Sequence, residues 1–303
     1  MQDASAMPAR VARWYIARVA SHEITTGTGD LPIEALPNSP ANDIAKTPPP
    51  RRPGIWGGLG TVALYFILQL GLGGLLAVAI GYWLALDTGL EGGLTDVRAI
   101  THTALASPDT RVIVAVVTIA AAAAVMLGFV RRTWPAQWSR ADLPGFGFGR
   151  PRAGGDYVAA VALGIGMVFV GGVMTQLLAH GHPVQQDVSV MAGKVSPGMR
   201  LLLAVLVVCV APIVEEVVFR GVLLSGLASR MRVGWAIVVS AVIFGCVHLP
   251  DFKFAWYPVP ALILMGMLLA WLRVRTGSLW PSITLHATNN FVAAIMWLLV
   301  AHP

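Results

Sequence analysis

From residue 54 onward long apolar stretches alternate with short polar ones, and the apolar stretches set the architecture. Seven runs, at about 54–86, 111–130, 155–180, 199–229, 233–250, 258–275 and 279–300, are long enough to cross a membrane as helices, since roughly 20 apolar residues span a hydrocarbon core of about 30 Å. Backbone polar groups in lipid must be satisfied within their own segment, which makes helix the expected state. The pattern predicts an all-α, polytopic transmembrane helical bundle of about seven to eight helices. The first and fourth runs exceed what one crossing needs, leaving room for an eighth span or a re-entrant piece. Runs one to three are mostly Ala, Gly, Leu and Val, with Gly164, Gly166, Gly171 and Gly172 suited to close helix packing, and they carry no evident chemistry.

Residues 1–53 break the pattern. They are polar, rich in Pro, and end in Thr47-Pro-Pro-Pro-Arg-Arg-Pro53, the composition of a largely disordered tail without the apolar core of a signal peptide. Arg10, Arg13 and Arg18 fall opposite Val11, Tyr15, Ile16 and Val19 on a helical wheel, which suits an interfacial helix or a short frayed one. The chain therefore divides into a tail (1–53), a first set of helices (54–198) and a second set (199–298) that holds nearly all the intramembrane polarity.

Composition agrees: 56% of the 303 residues are hydrophobic, 12% charged, and mean hydropathy is +0.71. The formal charge of +6 lies mostly in arginines at span ends, where it writes topology, so no nucleic-acid partner is implied. Arg131, Arg132, Arg140, Arg150 and Arg152 mark one loop and Arg273 and Arg275 close the sixth run, whereas 87–110 is acidic. This places the N-terminus and the even-numbered loops in the cytoplasm, with a bacterial inner membrane as the expected location. Cys209 and Cys246 fall inside spans, read as small buried hydrophobes, and offer no disulfide framework or metal spacing.

Charges are expensive in a membrane, so those inside spans point to function. Well inside the runs the ionisable residues are Glu215, Glu216, Arg220, His248 and His286. Glu216 and Arg220 are i, i+4 with the acid first, the favourable order for an ion pair. Glu215 is rotated by about 100° and has no local partner. A carboxylate so placed moves toward the range in which it exchanges a proton near neutrality, so the two acids divide into one structural and one available for chemistry. Glu215 lies 15 residues before Arg230 and His248 15 after Val233; helical arms from that turn lift both by about 22 Å, to one level. Phe244 is a turn before His248 and fit to pack beside it. His286 and Asn290 form another i, i+4 pair, Asn289 being expected on a different face. His286 is only 11 residues past Arg275, and reaches the level of Glu215 only if Thr276 to Pro281 is partly extended into the bundle.

Glu215-Glu216-Val-Val-Phe-Arg220, Phe244-Gly-Cys-Val-His248 and His286-Ala-Thr-Asn-Asn290 resemble the EExxxR, FxxxH and HxxxN motifs of the CPBP family of intramembrane proteases, which includes the type II CAAX prenyl endopeptidases. The resemblance covers roughly 199–298. It implies that Glu215 is the general base and later proton donor, that His248 helps to hold the water, and that His286 and Asn290 donate to the tetrahedral oxygen. Glu216, Arg220 and Phe244 would shape the site. Glu215, His248 and His286 with a water would also fit catalytic zinc, but Asn290 is a poor zinc ligand and there is no HExxH, so the metal-free reading is favoured. The implied partners are a membrane-associated protein or peptide substrate and the lipid bilayer. A proton-coupled carrier using a Glu and His relay, or a non-proteolytic immunity or scaffold protein, are the alternatives.

Overall fold

The computed structural model describes residues 50–88 and 94–300; the helical-wheel reading at 10–19 lies outside them. Among the described residues there are nine α-helices and no strand. They are α1 (Ile55–Thr88), α2 (Leu94–Ala104), α3 (Pro108–Thr133), α4 (Gly155–Ala179), α5 (Asp187–Ala192), α6 (Pro197–Ala228), α7 (Val233–Val247), α8 (Val259–Thr276) and α9 (Leu279–Val300). Helices α1, α3, α4, α6 and α8 are long and apolar enough to cross a membrane, and α7 is a shorter apolar helix. All seven apolar runs are helical. The two over-long runs are each one continuous helix, with no second span inside them. The acidic stretch expected as a loop carries the short α2, which tucks Val97 inward, and 180–198 carries α5.

Large apolar side chains cover the outside of the bundle: Trp56 is 85% exposed, Leu70 78% and Leu177 69%. Such a surface requires lipid as its solvent, and the protein is an integral, multi-pass membrane protein. Cys209 and Cys246 are exposed, not buried as expected, because a lipid-facing thiol and a core thiol look alike in an apolar run.

Helix α6 is the axis of the core. Its Val214, Val217, Val218, Phe219, Val222 and Leu223 are buried against Tyr65 of α1, Met126 of α3, Phe244 of α7 and Ala270 of α8. Glycines let neighbouring helices touch. A Cβ on Gly164 of α4 would lie 2.7 Å from the Leu285 carbonyl oxygen and 2.8 Å from Thr288 Cβ of α9, whereas one on Gly166 would meet nothing within 4 Å. Of the four packing glycines in that run, Gly164 makes the close approach.

Arg273 departs from its expected role as a loop charge. It is 1% exposed, and its Nε and Nη2 donate to the Phe146 and Gly145 carbonyls at 2.9 and 2.6 Å. The 145–149 segment thus covers the α8–α9 turn, where Thr276, Ser278 and Leu279 are all buried. The expected partly extended entry over 276–281 is not found: α8 runs to Thr276 and α9 starts at Leu279, leaving Gly277 and Ser278 as a buried turn.

Candidate active site

The site begins with an irregularity in α6. Pro212 has no N–H and so removes one rung from the helical ladder. The turn before it widens to π-helix over Leu206–Val210, and the Ala211 N–H reaches back five residues to Leu206 O. The next rung in that register, from residue 212 to Val207 O, has no donor. The free Val207 carbonyl instead accepts the Asn290 Nδ2 amide at 2.9 Å. A second wide turn spans Val217–Leu223, and Glu215 and Glu216 sit on the regular turn between the two. Wide turns of this kind concentrate at functional sites.

Glu216 and Arg220 form the expected ion pair, Arg220 Nη1 to Glu216 Oε1 at 3.1 Å, with both side chains fully buried. Glu216 also has a task not visible in the spacing: its Oε1 accepts the His286 Nδ1–H at 2.9 Å. A carboxylate can only accept, so the Nδ1 proton is assigned and Nε2 is left facing Glu215, whose Oε2 lies 3.8 Å away. His248 is fixed likewise, its Nδ1 donating to the Phe244 carbonyl at 2.7 Å, which leaves Nε2 free. Phe244 is the post around which these groups turn. Its ring lies 4.8 Å from the His248 ring and 5.9 Å from the His286 ring, and the Arg220 guanidinium sits 4.1 Å from its centroid, within cation–π range.

Glu215, His248, His286 and Asn290 all line one cavity of about 340 Å³. Asn289, expected on another face, lines it too, and its Nδ2 donates to Asn290 Oδ1 at 3.4 Å. Where two helices meet at a corner, adjacent residues can both reach the same space. The first set of helices, read as free of chemistry, contributes Tyr65, Phe66 and Gln69 of α1. The available signal was Thr61, Tyr65 and Gln69, a polar stripe at i, i+4 and i+8 in an otherwise apolar helix. Asp251, in the turn after α7, borders the chamber as well. Desolvation by the surrounding walls holds its carboxyl above the usual carboxylate range; His248 pulls the other way, and the charges of Glu215 and Asp187 add to the rise.

Among the described residues no three His, Cys, Asp or Glu side chains are arranged to hold a metal ion. The His–carbonyl and His–carboxylate bonds would suit supports for zinc-ligating imidazoles, but Glu215, His248 and His286 are not gathered into a ligand set.

A multi-pass helical bundle whose polar cluster combines these three motifs is similar to membrane proteases of the CPBP type, and comparison with known proteins finds the same likeness over part of the chain. Residues 197–292 match the family described as type II CAAX prenyl endopeptidase Rce1-like, which shows the resemblance for about the last third of the chain. Over 89 residues the chain is 34% identical to "Putative membrane peptidase YdiL" of Bacillus subtilis (strain 168), an alignment covering 29% of this chain and 34% of that protein. The chain thus spans about a third of the length of the curated relative it matches. No solved structure matches.

Proposed function

We propose that this protein is an intramembrane endopeptidase that hydrolyses a peptide bond of a membrane-associated protein or peptide with a water activated by Glu215 and His248. The observation that carries the reading is the convergence of Glu215 on α6, His248 at the end of α7, and His286 and Asn290 on α9 on one cavity inside the bundle. With Nδ1–H committed to Phe244 O, neutral His248 offers Nε2 as an acceptor. The Glu215 carboxylate is a second acceptor, so the two hydrogens of a water have two places to go. Glu215 takes one proton, the water oxygen bonds to the carbonyl carbon, and the C–N bond breaks as Glu215 returns the proton to the departing amine. Water is consumed, and one carboxylic acid and one amine leave.

The tetrahedral oxygen needs donors. Asn290 uses one amide hydrogen to anchor itself on Val207 O and keeps the second. His286, whose Nδ1–H is held by Glu216, turns Nε2 toward the chamber and donates from it when it carries both protons. Glu216 is therefore a positioning residue, tying the Arg220 pair to the orientation of His286. The reaction is metal-free in this reading. Its place is a bacterial inner membrane with the N-terminus cytoplasmic, and the 199–298 segment is the catalytic core.

Comparative membrane proteomics tests the reading. Termini present in wild-type cells and missing from both a deletion strain and a Glu215→Gln strain identify substrates, and a purified peptide spanning such a terminus should be cut by wild type and left intact by Glu215→Gln. Cleavage undiminished in Glu215→Gln would overturn it. Substrate-dependent proton flux without cleavage would instead establish a carrier, and partner binding that survives Glu215→Gln without cleavage a scaffold.

A further inference from the structure

The chamber has a wall that the three motifs do not supply. Helix α1, outside the segment that matches the family, presents Tyr65 and Gln69 one turn apart on the chamber. Tyr65 is 2% exposed, and its ring is packed in the main apolar core among residues of α1, α3 and α6. It lines the same chamber as Glu215, yet its hydroxyl makes no hydrogen bond to any described residue. Its neighbour in the stripe shows the ordinary solution, Thr61 Oγ1 donating at 2.7 Å to the Gly57 carbonyl one turn back. A phenol has no such local escape, because its hydroxyl stands too far from its own backbone. A hydroxyl with no protein partner must find one in the chamber that Tyr65 lines, and a phenylalanine would fill the same space without that need. The hydroxyl is explained if something entering the chamber takes its hydrogen.

We infer that Tyr65 is a further catalytic residue, whose hydroxyl donates a hydrogen bond to the carbonyl oxygen of the scissile peptide as negative charge develops there. This rests on the peptidase reading above. Three properties fit the role. The ring is clamped by core packing, so the donor is preorganised and little reordering accompanies the reaction. The donor is neutral, so it adds no charge to a chamber already lined by Glu215 and Asp251. It also comes from a different helix than Glu215, so the two border the chamber from separate walls. The 197–292 segment would then be an incomplete catalyst, with α1 closing the chamber and contributing a donor.

The test is Tyr65→Phe, which removes one oxygen and keeps the packed ring. A peptide spanning a Glu215-dependent terminus is the probe, and kcat and KM are measured on purified full-length protein together with its thermal midpoint. The expected result is a fall in kcat of about 10²-fold, as for loss of one preorganised donor, with KM within about threefold and an unchanged midpoint. A merely structural role would lower the midpoint and leave kcat intact. Full kcat in Tyr65→Phe beside an inactive Glu215→Gln overturns the inference and leaves the peptidase reading standing. Active Glu215→Gln, or no Glu215-dependent terminus in cells, overturns the peptidase reading and this inference with it.

Discussion

The Glu216–Arg220 pair permits a quantitative test, because stability and catalysis should separate when it is removed. Both side chains are fully buried, and the 3.1 Å contact is the only ion pair Arg220 makes among the described residues. Replacing one partner leaves the other charge buried and uncompensated, at a cost of about 3–5 kcal/mol, while replacing both with apolar groups of similar volume is neutral or better. At about 2–4 °C per kcal/mol for a chain of this size, Glu216→Met or Arg220→Met alone should lower the thermal midpoint in detergent by about 6–20 °C. The double variant should recover most of that loss, a coupling of several kcal/mol by double-mutant cycle. Cleavage should not recover, since His286 has lost the oxygen 2.9 Å from its Nδ1. Glu215→Gln is the control. Its nearest charged partner is 3.8 Å away and its side chain is 17% accessible, so stability should change by less than about 1 kcal/mol while activity disappears. The reasoning fails if Glu216→Met unfolds within about 2 °C of wild type, or if the double variant loses as much as the two singles together.

Two further expectations follow from the packing and the donor set. Gly164→Ala pushes a Cβ into the Leu285 carbonyl and Thr288, so α9 and its His286 must shift; destabilisation of about 1–3 kcal/mol, typical of overpacking, should accompany a loss of activity. Gly166→Ala, which meets nothing, should do neither, and equal behaviour of the two would refute the contact. Elemental analysis of active protein should find no stoichiometric zinc, and cleavage should survive chelation; one zinc per chain, with activity lost on its removal and regained on its return, would replace the metal-free mechanism.

Much of the site was legible in local spacing. An i, i+4 relation between Glu216 and Arg220 is a property of any helix, and so is the ring contact of Phe244 with His248. The level shared by Glu215 and His248 followed from counting along two antiparallel helices joined by a short turn. Other features had no local signature. The Glu216–His286 bond joins residues 70 apart in the chain, and nothing in EExxxR says that the second acid orients an imidazole on α9. Asn290 finds Val207 O only because Pro212 empties that rung. Arg273 looked like a loop charge because its acceptors, the Gly145 and Phe146 carbonyls, lie over 120 residues away.

By itself the sequence determined that this is a bundle of membrane helices and which residues inside it are chemically able. Hydropathy over some 20 residues is a sum over the chain, and spacing on a helix is local geometry, so neither needs the fold. The tertiary structure decided which apolar faces meet lipid and which meet one another. It also decided that α1 walls the chamber with Tyr65 and that Glu216 serves His286 as well as Arg220. Those outcomes depend on which helix lies against which. Inside a membrane hydrophobicity no longer distinguishes the buried face from the exposed one, so packing alone makes that choice.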